Sequence, residues 1–145
     1  SKFDMLDSDF SNGSVINSKF LNSGNDALDF SGSKVELIDL KINLSGDKAI
    51  SIGEKSELMI NNINIDNSVT GIAVKDESKV KILKTKISNS NTGISSYIKK
   101  KYYKNSNIML NEILFEDNMY NVVNSDFSKI YIDGQQLNDY DKKIR

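Results

Sequence analysis

Ser56-Glu57-Leu58-Met59-Ile60-Asn61-Asn62-Ile63-Asn64-Ile65 decides how this chain folds. Leu58 and Ile60 alternate with Met59, and Ile63 and Ile65 flank Asn64. An apolar residue at every second position marks a half-buried strand rather than a helix. Further on, Ile72 and Val74 flank Ala73 in the same way. Polar corners separate these runs: Asn61-Asn62, Asp66-Asn67-Ser68-Val69-Thr70-Gly71 and Lys75-Asp76-Glu77. The opening phrase recurs as Ser33-Lys34-Val35-Glu36-Leu37, Ser78-Lys79-Val80-Lys81-Ile82, Ser106-Asn107-Ile108-Met109-Leu110 and Ser128-Lys129-Ile130-Tyr131-Ile132. The serines step by 23, 22, 28 and 22 residues, and Ser11 stands 22 before Ser33. A second phrase keeps the same beat: Ala27-Leu28, Ala49-Ile50, Gly71-Ile72, Gly93-Ile94 and Asn121-Val122. Self-similarity at this period means stacked repeats.

Three strands and three corners in each unit make one turn of an all-β, right-handed parallel β-helix, a single-stranded solenoid of about six turns of ~22 residues with neighbouring turns about 4.8 Å apart. Left-handed β-helices follow a shorter hexapeptide rhythm. Leucine-rich repeats share the period, and Leu37-x-x-Leu40-x-Ile42 imitates their start, but Ser45, Ser68 and Ser90 stand where their Asn belongs and no helical apolar face follows.

Stacking the units predicts four core columns: Val35, Leu58, Val80, Ile108 and Ile130; Leu37, Ile60, Ile82, Leu110 and Ile132; Phe20, Ile42, Ile65, Ile87 and Phe115; Leu28, Ile50, Ile72, Ile94 and Val122. No turn buries its own face, so the stability is cooperative. Pro is absent, as suits strands whose amides all need partners. The solenoid is expected over residues 1–137, with 138–145 a polar tail or partial cap. Asp4-Met5-Leu6-Asp7 matches Asp26-Ala27-Leu28-Asp29 one turn later. The chain is therefore expected to open partway through a turn, as a fragment with a domain or further turns upstream.

Composition narrows the function classes. A formal charge of -1 and a pI near 5.5 give no global pull toward nucleic acid, and no apolar run is long enough to cross a bilayer as a helix, so neither nucleic acid nor membrane insertion is expected. Absence of Cys excludes disulfides and thiolate metal sites. Absence of His removes the commonest metal ligand and the usual base near neutral pH. Asp26, Asp29, Asp47 and Glu54 offer oxygen ligands of the kind calcium takes, but solvated turn carboxylates are the plainer reading. No cofactor and no metal site is expected.

The repeats resemble the right-handed parallel β-helix superfamily typified by pectin-degrading enzymes, from about Asp4 to Leu137. The stretches Asp26-Ala27-Leu28-Asp29-Phe30-Ser31-Gly32-Ser33 and Ser45-Gly46-Asp47-Lys48-Ala49-Ile50-Ser51-Ile52-Gly53-Glu54-Lys55-Ser56 are most similar to modules of large bacterial surface or exported proteins, some fused to spore-coat-kinase-like domains. The resemblance implies a non-catalytic structural or display module, at the cell surface or outside the cell.

The same superfamily implies an alternative, a carbohydrate-active enzyme (polysaccharide hydrolase, lyase or epimerase) with a site around Asp26, Asp47, Lys48, Lys75 and Asp76; a third reading is an assembly part that joins other copies or domains through its terminal turns. Polygalacturonase-like glycosidases carry D-G-x-D and, one turn later, G-D-D-C. Asp26 and Asp47 match the first aspartate of each, but Lys48 replaces the second of the pair and the following histidine is missing. Two-carboxylate hydrolysis needs one acid and one ionised group, and Lys48 beside both favours two anions. A lysine base for β-elimination is conceivable in Lys48 or Lys75, although neighbouring carboxylates raise a lysine's pKa. The expected role of Asp26 is to pair with Lys48 across turns.

The six-residue excess between Ser78 and Ser106 is the break in the rhythm. Insertions between repeats become surface loops, often on the binding face. This one, at residues 97–105, combines Tyr97, Tyr102 and Tyr103 with Lys99, Lys100, Lys101 and Lys104, a set suited to stacking on sugars and neutralising their acidic groups. An anionic polysaccharide is the candidate ligand. Lys79, Lys81, Lys84 and Lys86 are expected to point outward, either extending the basic patch or only keeping a strand face soluble and its edges from pairing.

Overall fold

The computed structural model describes residues 1–137 and 143–144, and among them there is no helix. The strands are β1 (Leu6–Asp9), β2 (Asn12–Ser23), β3 (Leu28–Ser31), β4 (Lys34–Gly53), β5 (Glu57–Lys75), β6 (Lys79–Ser88), β7 (Thr92–Tyr97), β8 (Asn107–Glu116), β9 (Tyr120–Asn124), β10 (Lys129–Ile132), β11 (Gln135–Gln136) and β12 (Lys143–Ile144). From β1 to β10 every pairing is parallel and joins residues one repeat apart: Leu58 pairs with Val80, Ile60 with Ile82, Ile50 with Ile72. The chain winds as a solenoid with three faces. In the central turn these are 57–61 (first), 63–66 (second) and 70–75 (third).

All four expected columns stack as read, from Val35 through Leu58 and Val80 to Ile130 and likewise for the others. Two more complete the interior. Leu40, Ile63, Thr85 and Ile113 line the second face, and Phe30, Ile52, Val74, Ser96 and Asn124 the third. The interior is apolar through the earlier turns, admits Thr85 on the second face, and turns polar on the third face from Ser96 onward. There Asn124 donates to the Ser128 carbonyl (2.9 Å), and Ser96 Oγ donates to Ser128 Oγ (2.7 Å).

The corners explain the abundance of Asn and Asp. Asn17, Asp39, Asn62, Lys84, Glu112 and Asp133 all take positive φ between the first and second faces, the left-handed conformation that short polar side chains tolerate best. Asn62 also donates to Asp39 Oδ1 across turns (2.7 Å). The serine that marks each repeat has a structural duty at the corner between third and first faces. The Ser33 amide donates to Ser56 Oγ (3.0 Å), Ser78 to Ser106 Oγ (3.1 Å) and Ser106 to Ser128 Oγ (2.8 Å). These serines are buried, so each hydroxyl satisfies an amide that water cannot reach.

Two expectations change. Lys79, Lys81, Lys84 and Lys86 do not form one basic patch, because the chain turns between them: Lys79 and Lys81 lie on the first face, Lys84 at the corner, and Lys86 on the second face, paired with Glu116 (3.1 Å). Tyr97 belongs to the last position of β7 rather than to the insertion loop, and is half-buried. The expected tail, 138–145, lies outside the described residues except for Lys143–Ile144, which pair antiparallel with Val123 and Val122.

Candidate functional site

The outer side of the third face gathers several of the singled-out residues. Asp26, Asp29, Lys48, Ser51, Lys75 and Tyr97 come from four successive turns and are brought together by register alone: Asp29 pairs with Ser51, Ser51 with Ala73, and Lys75 with Tyr97. Asp26 is buried. Its Oδ1 accepts the Lys48 amide (3.0 Å) and lies 3.6 Å from Lys48 Nζ, so the expected cross-turn pair is present. Lys48 Nζ also donates to Asp47 Oδ2.

Burial pushes the Asp26 carboxyl up, against the pull of the Lys48 amide and ammonium. For Lys48 burial pulls downward, but the hydrogen bond to Asp47 and the charges of Asp26 and Asp47 outweigh it and hold the ammonium above the ordinary lysine range. Tyr97 is raised by burial, within electrostatic reach of Lys48, Asp47 and Asp26.

Lys75 overturns the expectation of a raised lysine. Its side chain is 7% exposed and runs back over Gly53, where Nζ donates to Ser51 Oγ (2.8 Å). It forms no ion pair among the described residues. Burial lowers its pKa, and Lys99 and Lys48 add to the effect against Asp29 and Asp26. The sequence shows Asp76 next to Lys75 but not that the corner turns Asp76 away. Asp76 Oδ1 instead accepts the amides of Lys99 (2.7 Å) and Lys100 (3.0 Å).

The insertion, 98–105, is thereby a strap held by acids of earlier corners. Besides Asp76, Glu77 accepts the Lys104 amide (3.3 Å), and Glu54 pairs with the Lys100 ammonium. Asn105 reaches the Phe127 carbonyl on the next turn (3.0 Å). Lys100 is therefore a fastening, whereas Lys99, Lys101, Lys104 and Tyr102 project into solvent, Tyr102 76% exposed. The Tyr102 and Tyr103 rings lie 4.6 Å apart, tilted by 41°. The strap's polar contacts run to these corners, not to the Lys79 and Lys81 strand. Sequence reasoning missed Ser51, Glu54 and Glu77 as partners, since register and corner direction alone bring them into contact.

The calcium reading is not assembled as expected. Asp4, Asp26 and Asp29 place oxygens within 4.8 Å of one another, but Asp47 is taken by Lys48 and Glu54 by Lys100.

A family model described as the right handed beta helix region matches residues 6–141. The chain belongs to the right-handed beta helix family. Among curated proteins and solved structures, no match was found. In this beta helix the three-strand turn supplies the frame, and the third face with its strap carries the departures from it.

One consequence of the Lys75 geometry is measurable. Burial leaves its charged form less favourable folded than unfolded, so this group contributes rising stability as pH climbs from its lowered pKa toward 10.5. Removing both partners of the buried bond, in Ser51→Ala/Lys75→Met, is expected to stabilise the beta helix by about 1 kcal/mol at neutral pH. The gain should fade over that alkaline window. Urea titrations at neutral and alkaline pH check it; a gain that grows with pH contradicts the burial argument.

Proposed function

We infer that the chain is a non-catalytic structural and display module of a larger exported bacterial protein, and that its strap contacts an anionic glycan. One observation carries the reading: Asp76 and Glu77 grip the strap backbone while the side chains of Lys99, Lys101, Lys104 and Tyr102 are exposed to solvent. A loop fixed by its backbone presents its cations without ordering them afresh on binding, which reduces the entropic cost of association. The groups a carbohydrate-active enzyme would use are meanwhile engaged in holding turns together. Asp26 caps the Lys48 amide, Lys48 is shared by two carboxylates, and Lys75 is buried against Ser51. Export is supported by the resemblance to bacterial surface modules.

The test is binding of polygalacturonate, alginate and sulfated oligosaccharides. Lys99→Ala/Lys101→Ala/Lys104→Ala is expected to lower affinity by at least about tenfold, roughly 1.4 kcal/mol, with unchanged thermal stability. Salt should weaken binding by the wild type, since exposed charges are screened over about 10 Å at 0.1 M. Absence of binding to every anionic glycan would remove the glycan role.

The alternative, a polysaccharide hydrolase, lyase or epimerase on the third face, draws support from the lowered Lys75 and the raised Asp26, directions that suit a base and an acid. Turnover of one of these polymers, abolished by Asp47→Ala with the fold intact, would favour it.

A further inference from the structure

A groove of about 730 Å³ crosses the outer side of the first face, from Asn12 on β2 to Met109 on β8, and no strap residue lines it. It runs along the solenoid axis between two columns of outward side chains set by the register. One wall carries Lys34, Glu57, Lys79 and Asn107, the other Glu36, Met59, Lys81 and Met109. Its volume is that of a small-molecule site.

Charge is uneven along this groove. Glu57 stands in register between Lys34 and Lys79, and Glu36 lies two residues from Lys34 on the same side of the strand. Lys81 has no such companion. Its neighbours in register are Met59 on one side and Met109 on the other, and Lys79 lies two residues before it. Three lysines thus face two glutamates, and the surplus sits on β6. Lys79 and Lys81 are exposed and form no ion pair among the described residues.

The methionines beside Lys81 point away from the core, Met109 40% exposed. A thioether side chain is flexible and polarizable and moulds itself to an aliphatic partner. Met59 and Met109 lie two strand spacings apart, about 10 Å, so a tail of medium length covers both. No aromatic ring lines the groove, which leaves a sugar no face to stack on. An unpaired ammonium between two adaptable apolar side chains is complementary to an anionic head carrying an aliphatic tail.

We propose that this groove binds a single-chain amphiphilic anion, a carboxylate or sulfate on an aliphatic tail, with its head at Lys79 and Lys81 and its tail along Met59 and Met109. The site is separate from the strap and goes beyond the glycan reading.

Methionine-methyl NMR on the whole chain tests it, with decyl sulfate below its micelle-forming concentration as the probe. Of the four methionines, Met59 and Met109 should shift together and saturate, while Met5 and Met119 stay in place. Lys79→Ala/Lys81→Ala should weaken binding at least about tenfold, and Met59→Thr, read at Met109, at least about threefold. Decyltrimethylammonium, with the same tail, and methyl sulfate, with the same head, should shift neither methyl. Salt should weaken binding. Lys99→Ala/Lys101→Ala/Lys104→Ala should bind the probe as the wild type does, so this site and the glycan role fail independently. No saturable shift overturns the proposal. Equal shifts at all four methionines, or binding indifferent to head charge or to Lys79 and Lys81, overturn it as well.

Discussion

Ile60→Ala is expected to remove about 2–5 kcal/mol of folding stability. Ile60 is fully buried and stacked between Leu37 of the turn below and Ile82 of the turn above. Those neighbours hang from strands locked in register on both sides, so the cavity left by truncation collapses little. A domain of this size is held by only about 5–15 kcal/mol, and the urea midpoint should fall accordingly. Ile132 is the last of the column among the described residues, is only partly buried and pairs antiparallel with Gln135 on its other side. Ile132→Ala should cost markedly less. Equal losses at the two positions would mean that the column does not behave as a stack.

Gly71→Val is expected to cost about 3 kcal/mol, at the upper end of ordinary overpacking. A Cβ at Gly71 would lie 2.6 Å from the Gly93 carbonyl oxygen and 2.7 Å from Ile87 Cγ2. Neither yields readily: the first is backbone of the next turn, and the second belongs to a buried core column. Gly13→Ala is the control. Nothing lies within 4 Å of a Cβ there, and Gly13 sits inside β2, so the substitution should be neutral or stabilising by up to about 1 kcal/mol. Thermal unfolding of the two variants separates close approach from any general cost of changing glycine. Sequence alone points the other way at position 71, because Ala27 and Ala49 occupy the same beat of earlier repeats.

The candidate site was legible where it depends on repeat arithmetic and illegible where it depends on direction. Asp26 and Lys48 are one turn apart, so their contact followed from the period. Adjacency in sequence to Asp76 suggests a raised lysine at Lys75, and the structure reverses the direction. The left-handed corner turns Asp76 toward the strap, and the lysine folds back over Gly53 to Ser51. Lys100 read like its neighbours Lys99 and Lys101, yet only Lys100 reaches Glu54. Composition groups Tyr97 with the loop, whereas the pairing of Lys75 with Tyr97 carries the strand through that residue.

What the sequence determined by itself is the repeating frame. Alternation at period two fixed which side chains face inward. The 22-residue beat fixed which of them stack, because in a solenoid each residue's neighbours across the sheet are its own equivalents one turn away. What only the tertiary structure decided is what breaks the beat: the path of the strap, the sharing of carboxylates among Lys48, Lys100 and two backbone amides, and the burial of Lys75. These are contacts between residues at different positions of the repeat, and corner geometry and side-chain reach set them. A one-dimensional period carries no information about either.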